Sequence, residues 1–221
     1  MRFFNTAGPI RTDDHYYLPP LERLKDSDVL TLIEQKKYFI LHAPRQTGKT
    51  SALLALAEQL NNEGKYNAIY MNVELVQGFR EQIQPAMEGL VEELRNSIKF
   101  FLKNEKLVET VQKISERPTP TMFNTALSEI CLVSDKPIVL FIDEVDSLVG
   151  DTLITLLRLL RAGYNKRPES FPQSVILCGV RDIKDYRIHA SSEKDVITGG
   201  SCFNIKAKSL RMGNFSKEEI A

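Results

Sequence analysis

The chain carries no net charge, little cysteine or histidine, and no long apolar run. Lys and Arg together number 29 and so do Asp and Glu. No overall field therefore draws the molecule onto nucleic acid or an anionic membrane, and only a local patch would do so. No segment approaches the roughly 18 consecutive apolar residues that a membrane span needs, and the N-terminus has no apolar signal core. The expectation is a cytoplasmic protein without a membrane partner. Cys131, Cys178 and Cys202 are scattered without C-x-x-C spacing. Cys131 and Cys178 fall in apolar periodic stretches, which favours buried free thiols in a reducing compartment over a disulfide. His15, His42 and His189 are too far apart for metal-ligand spacing, and His42, in an apolar strand, reads as a satisfied core residue or as a support behind the site. Repeats and low-complexity tracts are also missing.

What the chain does have is alternation. With 221 residues and 43% hydrophobic content it can bury one good core, so one α/β domain is expected. Short apolar runs at 38–41, 67–74, 136–146, 173–180 and 202–210 read as strands. Helical patterns lie at 24–37, 51–60, 105–116, 121–133 and 151–162, the last ended by Gly163. Between 85 and 103, Met87, Leu90, Val91, Leu94, Ile98 and Phe101 form one helical stripe, with Pro85 in its first turn. Residues 191–200 read as a polar, Gly-rich mobile loop. Strands that are continuous apolar runs separated by helices imply a mainly parallel central sheet flanked by helices, a three-layer sandwich. Ligands of such sheets bind at the strands' carboxyl ends.

The first of those ends carries the most specific signal. The strand at 38–41 leads into Ala43, Pro44, Arg45, Gln46, Thr47, Gly48, Lys49, Thr50 and Ser51, and strong helix formers follow. This is a phosphate-binding loop in its strand–loop–helix setting. Successive backbone N–H groups and the helix dipole cradle a polyphosphate. Lys49 reaches the β/γ-phosphates, and the Thr50 hydroxyl is a Mg²⁺ ligand. The first glycine of G-x-x-x-x-G-K-[ST] is replaced by Ala43, which is tolerable only if residue 43 keeps a negative φ.

A second apolar strand ends in Asp143-Glu144. Asp143 is read as the second metal anchor, holding Mg²⁺ through water, and Glu144 as the general base that polarises the attacking water. Asp146 either caps the next helix or supports the metal's surroundings.

A-P-R-Q-T-G-K-T at 43–50, F-I-D-E-V-D at 141–146 and I-L-C-G-V-R-D at 176–182 together resemble the phosphate loop, metal strand and first sensor of AAA+-type P-loop ATPases. The likeness is greatest to prokaryotic AAA-like proteins related to the signal-transducing STAND ATPases. H-Y-Y-L-P-P-L-E-R at 15–23 and F-N-I-K-A-K-S-L at 203–210 are similar to the same group. The resemblance implies an ATP-binding P-loop domain that hydrolyses ATP with Mg²⁺ to drive a conformational switch. Its alternatives are a STAND-like signalling module of negligible turnover and a DNA-transaction ATPase.

By the same resemblance Arg181 contacts the γ-phosphate, a role that suits a permanently charged bidentate donor. A surface salt bridge with Asp182 or Asp185 is the other reading. His15, Tyr16, Tyr17 and Leu18 either line the base pocket or cover the core edge. Arg45 either acts on phosphate or faces outward. Arg158, Arg161 and Arg167 are candidates for an arginine finger toward a neighbouring subunit, so a homo-oligomer or a signalling protein is an expected partner. Asn165-Lys166-Arg167-Pro168 lacks the aspartate of a guanine-reading N-K-x-D, which disfavours GTP. The expected organisation is an extended lead-in over 1–24, an ATPase core over 25–213, and the start of a truncated helical lid over 214–221, signalled by Ser216 and Glu219. A lidless crevice is expected to bind and turn over ATP weakly.

Overall fold

The computed structural model describes residues 3, 11, 13–25, 27–182 and 203–215, together with the backbone of 187–189 and 196–198. The six helices among them are α1 (Val29–Glu34), α2 (Lys49–Glu63), α3 (Ile83–Ser97), α4 (Glu105–Ser115), α5 (Met122–Val133) and α6 (Gly150–Gly163). The strands are β1 (Tyr38–His42), β2 (Asn67–Asn72), β3 (Ile138–Asp143), β4 (Ser174–Gly179), β5 (Arg187–His189), β6 (Val196–Thr198) and β7 (Lys206–Arg211). No helix among the described residues is long and apolar enough to cross a membrane.

Five strands form one parallel sheet in the order β2-β3-β4-β1-β7, and β5 pairs antiparallel with β6 apart from it. The apolar runs alternate faces, as the pleat dictates. Tyr38, Ile40, Ile69, Met71, Leu140, Ile142, Val175 and Leu177 face α3 to α6. Phe39, Leu41, Ala68, Tyr70, Val139, Phe141, Ile176 and Cys178 face α1 and α2. Both faces are dry, so each large apolar side chain contributes about 1.5–3 kcal/mol of burial. The three-layer sandwich expected from the sequence is the observed fold, and Cys131 and Cys178 are buried free thiols. Cys202 lies outside the described residues.

The chain order matters for the site. β4 sits between β1 and β3, so its carboxyl end separates the loop after β1 from the acidic pair after β3. In register, His42 lies beside Gly179 and Asn72 beside Asp143.

Several expected boundaries shift for local reasons. The helix expected over 24–37 is two pieces, a 3-10 turn at Pro20–Leu24 and α1. Ser27 interrupts it, turning both its amide and its hydroxyl onto the Leu24 carbonyl, the competition with helix that short polar side chains offer. The same 3-10 turn means that the 1–24 lead-in is not wholly extended. β2 stops at Asn72, whose side chain accepts the Glu74 N–H at 2.9 Å and starts a 3-10 segment, Val73–Phe79. The stripe over 85–103 is α3 followed by a π turn, Ile98–Leu102, that ends on Lys103 at φ 50°.

Gly163 does not end its helix by reversing φ. It sits in αR geometry where a Cβ would run into the Phe171 ring, so it is a close-packing residue. The loop expected over 191–200 contains β6, and the last strand begins at Lys206 rather than 202. Ser216 and Glu219 lie outside the described residues, as do Asp185 and the His189 side chain.

Candidate functional site

Loop 43–50 leaves β1 at the carboxyl edge of the sheet and turns directly into α2. The turn is made by Gln46 at φ 60° and by Gly48 at φ 81°, the second being a left-handed value natural to glycine. Ala43 is not among the positive-φ residues and is fully buried, so the condition for an alanine there is met. Thr47 Oγ1 closes the loop on the Pro44 carbonyl at 2.8 Å. Lys49 is buried, and its Nζ donates to the carbonyls of Ala43 and Pro44, both at 2.9 Å. The first N–H groups of α2 have no partner within the helix and point into the loop. A cleft of about 630 Å³ opens over them, lined by loop residues 45–51 with Tyr70, Asn72, Glu74 and Glu144.

Asp143, fully buried at the end of β3, collects three O–H and N–H donors, with the Cys178 thiol as a fourth, weaker partner. Thr50 Oγ1 donates to its Oδ2 at 2.7 Å, the Tyr70 hydroxyl to the same oxygen at 2.9 Å, and the Glu144 N–H to Oδ1 at 2.9 Å. Threonine has one proton and two lone pairs. With the proton spent on Asp143, the lone pairs of Thr50 remain available to a cation. Burial and the Asp143 charge push the Tyr70 phenol well up, so it stays a donor throughout the working pH range. Burial and the same charge raise the Cys178 thiol, which is therefore inert.

Glu144 takes φ 57°, a strained value for a non-glycine residue that costs on the order of 1–3 kcal/mol and clusters at functional sites. Its half-buried carboxyl faces the cleft. Burial, then the Asp143 charge, raise it above the ordinary glutamate value, while Lys49 pulls the other way. A base shifted toward neutrality takes a proton more readily.

Asp146 does not cap the next helix, whose N-terminus has no side-chain cap. Its Oδ2 accepts the Val180 N–H, and a Cβ on Gly179 would strike its carboxylate. Burial raises Asp146, opposed by that N–H, by Lys49 and by Arg181. The acidic end of β3 is thereby fastened to the carboxyl end of β4, one residue before Arg181. Sequence reasoning missed this link, although a glycine closing an apolar strand was its signal.

Arg181 is exposed and shares a second cleft of about 480 Å³ with Arg45, Glu144 and Asp146. That cleft adjoins the first, since Arg45, Glu74 and Glu144 line both. Asp182 is paired with Lys206 Nζ at 2.8 Å. Arg45 is exposed at the shared mouth.

The remaining expectations fare differently. His15 is buried and accepts the Arg11 N–H at 3.0 Å, against the edge of Phe3. Neither it nor Tyr16, Tyr17 or Leu18 lines the cleft over loop 43–50. Two residues not singled out from the sequence come closer: the Phe215 ring lies over Gly48, and the Arg23 guanidinium stacks on that ring at 4.2 Å. Arg167 is engaged within its own chain. It stacks on Tyr164 at 3.3 Å and donates to the carbonyls of Tyr164 and Lys36, before the first residue of β1, the end of that strand remote from the loop. Arg158 and Arg161 are exposed on α6.

No group of three or more His, Cys, Asp or Glu among the described residues has the arrangement of a metal centre. A cation of the Mg²⁺ type needs only one or two protein oxygens and completes its shell with water and phosphate. Thr50 with Asp143 is such a donor set.

A family model described as an AAA domain matches residues 33–186. No curated protein matches the chain. Among solved structures the chain is similar to Cdc6p from Pyrobaculum aerophilum, with TM-score 0.55, 19% identity, and coverage of 92% of this chain and 48% of that one. It is similar also to the Aeropyrum pernix ORC2 protein in ADPNP–ADP complexes, with TM-score 0.55, 14% identity, and coverage of 92% and 51%. A third is the Aeropyrum pernix ORC1 protein in complex with DNA, with TM-score 0.51, 15% identity, and coverage of 92% and 47%. The chain spans about half the length of these structures, and at such identity they carry the fold alone. The family match covers well over half the chain and includes both the 43–50 loop and the acidic end of β3. This chain belongs to the AAA domain family of AAA+-type P-loop ATPases.

Proposed function

We propose that the chain binds ATP with Mg²⁺ over loop 43–50 and hydrolyses it, the bound state setting the conformation of the surrounding loops. The observation that carries this reading is the Thr50–Asp143 bond at 2.7 Å beside the raised carboxyl of Glu144. Lys49 leaves its two carbonyl partners to meet the β- and γ-phosphate oxygens, and the α2 N–H groups bind the rest of the polyphosphate. Thr50 and Asp143 would hold Mg²⁺, Thr50 through its hydroxyl lone pairs and Asp143 through water. When bound, Mg²⁺ neutralises the phosphate oxygens and holds them for in-line displacement.

Glu144 accepts a proton from water as the water oxygen bonds to the γ-phosphorus and the bond to the leaving oxygen of ADP breaks. Arg181, always charged, meets the γ-phosphate oxygens from the end of β4. Support for adenine over guanine comes from Asn165–Pro168, which lacks the guanine-reading aspartate and follows no strand.

Single-turnover hydrolysis with and without Mg²⁺ tests the reading. Glu144→Gln is expected to keep ATP bound and to slow hydrolysis by about 10²-fold or more. A normal rate in that variant would remove Glu144 as the base. ATP binding without turnover in the unaltered protein would reduce the function to a nucleotide-dependent interaction module.

A further inference from the structure

Tyr70 stands outside every motif of the sequence and yet touches the metal strand. Its ring belongs to the core face of β2 that meets α2, where phenylalanine would pack equally well. The hydroxyl is surplus to that packing, and a buried hydroxyl is costly unless it is bonded. Its bond goes to Asp143 Oδ2 at 2.9 Å.

Each oxygen of a carboxylate offers about two acceptor positions. At Oδ2 both are taken by protein donors, Thr50 and Tyr70. At Oδ1 one is taken by the Glu144 N–H. The Cys178 thiol, a weak donor, also bonds to this carboxylate, so an incoming water meets Oδ1, which carries one strong donor against two on Oδ2.

We propose that Tyr70 is a positioning residue for the metal: by filling Oδ2 it confines the metal-bound water to Oδ1, and so sets how tightly Mg²⁺ is held in the nucleotide complex. This rests on reading Asp143 as the water-mediated anchor. The hydroxyl is held in place from behind. Phe101 packs its ring against Tyr70 at 5.8 Å and 66° between planes, and it is carried on the π turn Ile98–Leu102 against β2. β2 is an edge strand of the sheet, so this turn is what steadies the ring on its open side.

The test is Tyr70→Phe, which keeps the ring and its packing. Binding of ATP carrying a fluorescent ribose label is titrated across Mg²⁺ concentrations and in EDTA, alongside thermal melting. The Mg²⁺ concentration for half-maximal enhancement is expected to rise about three- to ten-fold, the range set by one net hydrogen bond. Affinity in EDTA is expected to stay within two-fold. An unchanged Mg²⁺ midpoint overturns the proposal. An equal loss in EDTA also overturns it, because that is the mark of a merely structural tyrosine. Asp143→Asn, measured in parallel, separates the two layers of the reading. If it abolishes the Mg²⁺ enhancement while Tyr70→Phe changes nothing, the positioning role alone fails. If Asp143→Asn keeps the enhancement, the anchor itself is misassigned and Tyr70 falls with it.

Discussion

Thr50 and Asp143 stand 93 residues apart in the chain and meet at 2.7 Å, the hydroxyl proton of one on the carboxylate of the other. The bond spends the only proton Thr50 has and leaves lone pairs as what it can offer a cation. Thr50→Val keeps the shape and removes both functions. It is expected to abolish the Mg²⁺ enhancement of ATP binding while leaving Mg²⁺-free affinity within about two-fold, whereas Thr50→Ser keeps most of the enhancement. Calorimetry at high and low Mg²⁺ checks this, and an undiminished enhancement in Thr50→Val would remove the threonine from the metal site.

Lys49 is buried with its ammonium on two carbonyls of the loop it follows. Two neutral acceptors are a weaker match for that charge than phosphate oxygens are. Loss of a charge-assisted contact is worth about 1.5–3 kcal/mol, so Lys49→Ala is expected to weaken ATP binding roughly ten-fold or more. The same substitution also frees the Ala43 and Pro44 carbonyls at the loop, and melting temperature is measured beside affinity. Equal affinity in the two proteins would sink the assignment.

Much of the candidate site's layout was legible because its residues are contiguous in the chain. Loop 43–50 and Asp143-Glu144 each follow an apolar strand, and a parallel sheet puts strand carboxyl ends on one edge. Pairwise contacts between strands were not legible. Tyr70 and Phe101 look like ordinary core residues, and only the β2–β3 register brings the Tyr70 hydroxyl beside Asp143. Arg167 looked like a free surface cation until Tyr164 and Lys36 claimed it. Gly163 looked like a helix stop because sequence shows its permissive backbone and hides the Phe171 ring it makes room for. Local signals carried the chemistry, and non-local packing carried its support.

If Glu144 is the base, it is expected to set an acid limit on hydrolysis. Burial and the neighbouring Asp143 charge raise its carboxyl, so it takes up its proton at a higher pH than an exposed glutamate near 4.3 does. The basic form is lost as pH falls through that raised value and is fully present above it. The acid limb of kcat/KM, which reports the free enzyme, is expected to lie above the ordinary glutamate range. The residual rate of Glu144→Gln is expected to be flat across the same interval. A limb that persists unchanged in Glu144→Gln would assign it to another group.

Gly179 and Asp146 join the acidic end of β3 to the strand that presents Arg181. Asp146 accepts the Val180 N–H, and Gly179 is bare where a methyl would meet that carboxylate. Gly179→Ala is therefore expected to displace Asp146 and break the bond one residue before Arg181. Crowding of this kind costs about 1–3 kcal/mol, which lowers the melting temperature by several degrees. The more telling effect is on nucleotide preference. If Arg181 reads the γ-phosphate, Arg181→Ala weakens ATP more than ADP, and Gly179→Ala shifts the preference in the same direction by misplacing an intact arginine. Asp146→Asn, which keeps an acceptor oxygen for Val180, is expected to change the preference least. Calorimetric affinities for both nucleotides in the three variants decide it. Equal losses for ATP and ADP in Arg181→Ala would make the arginine structural, and an unshifted preference in Gly179→Ala would uncouple it from Asp146.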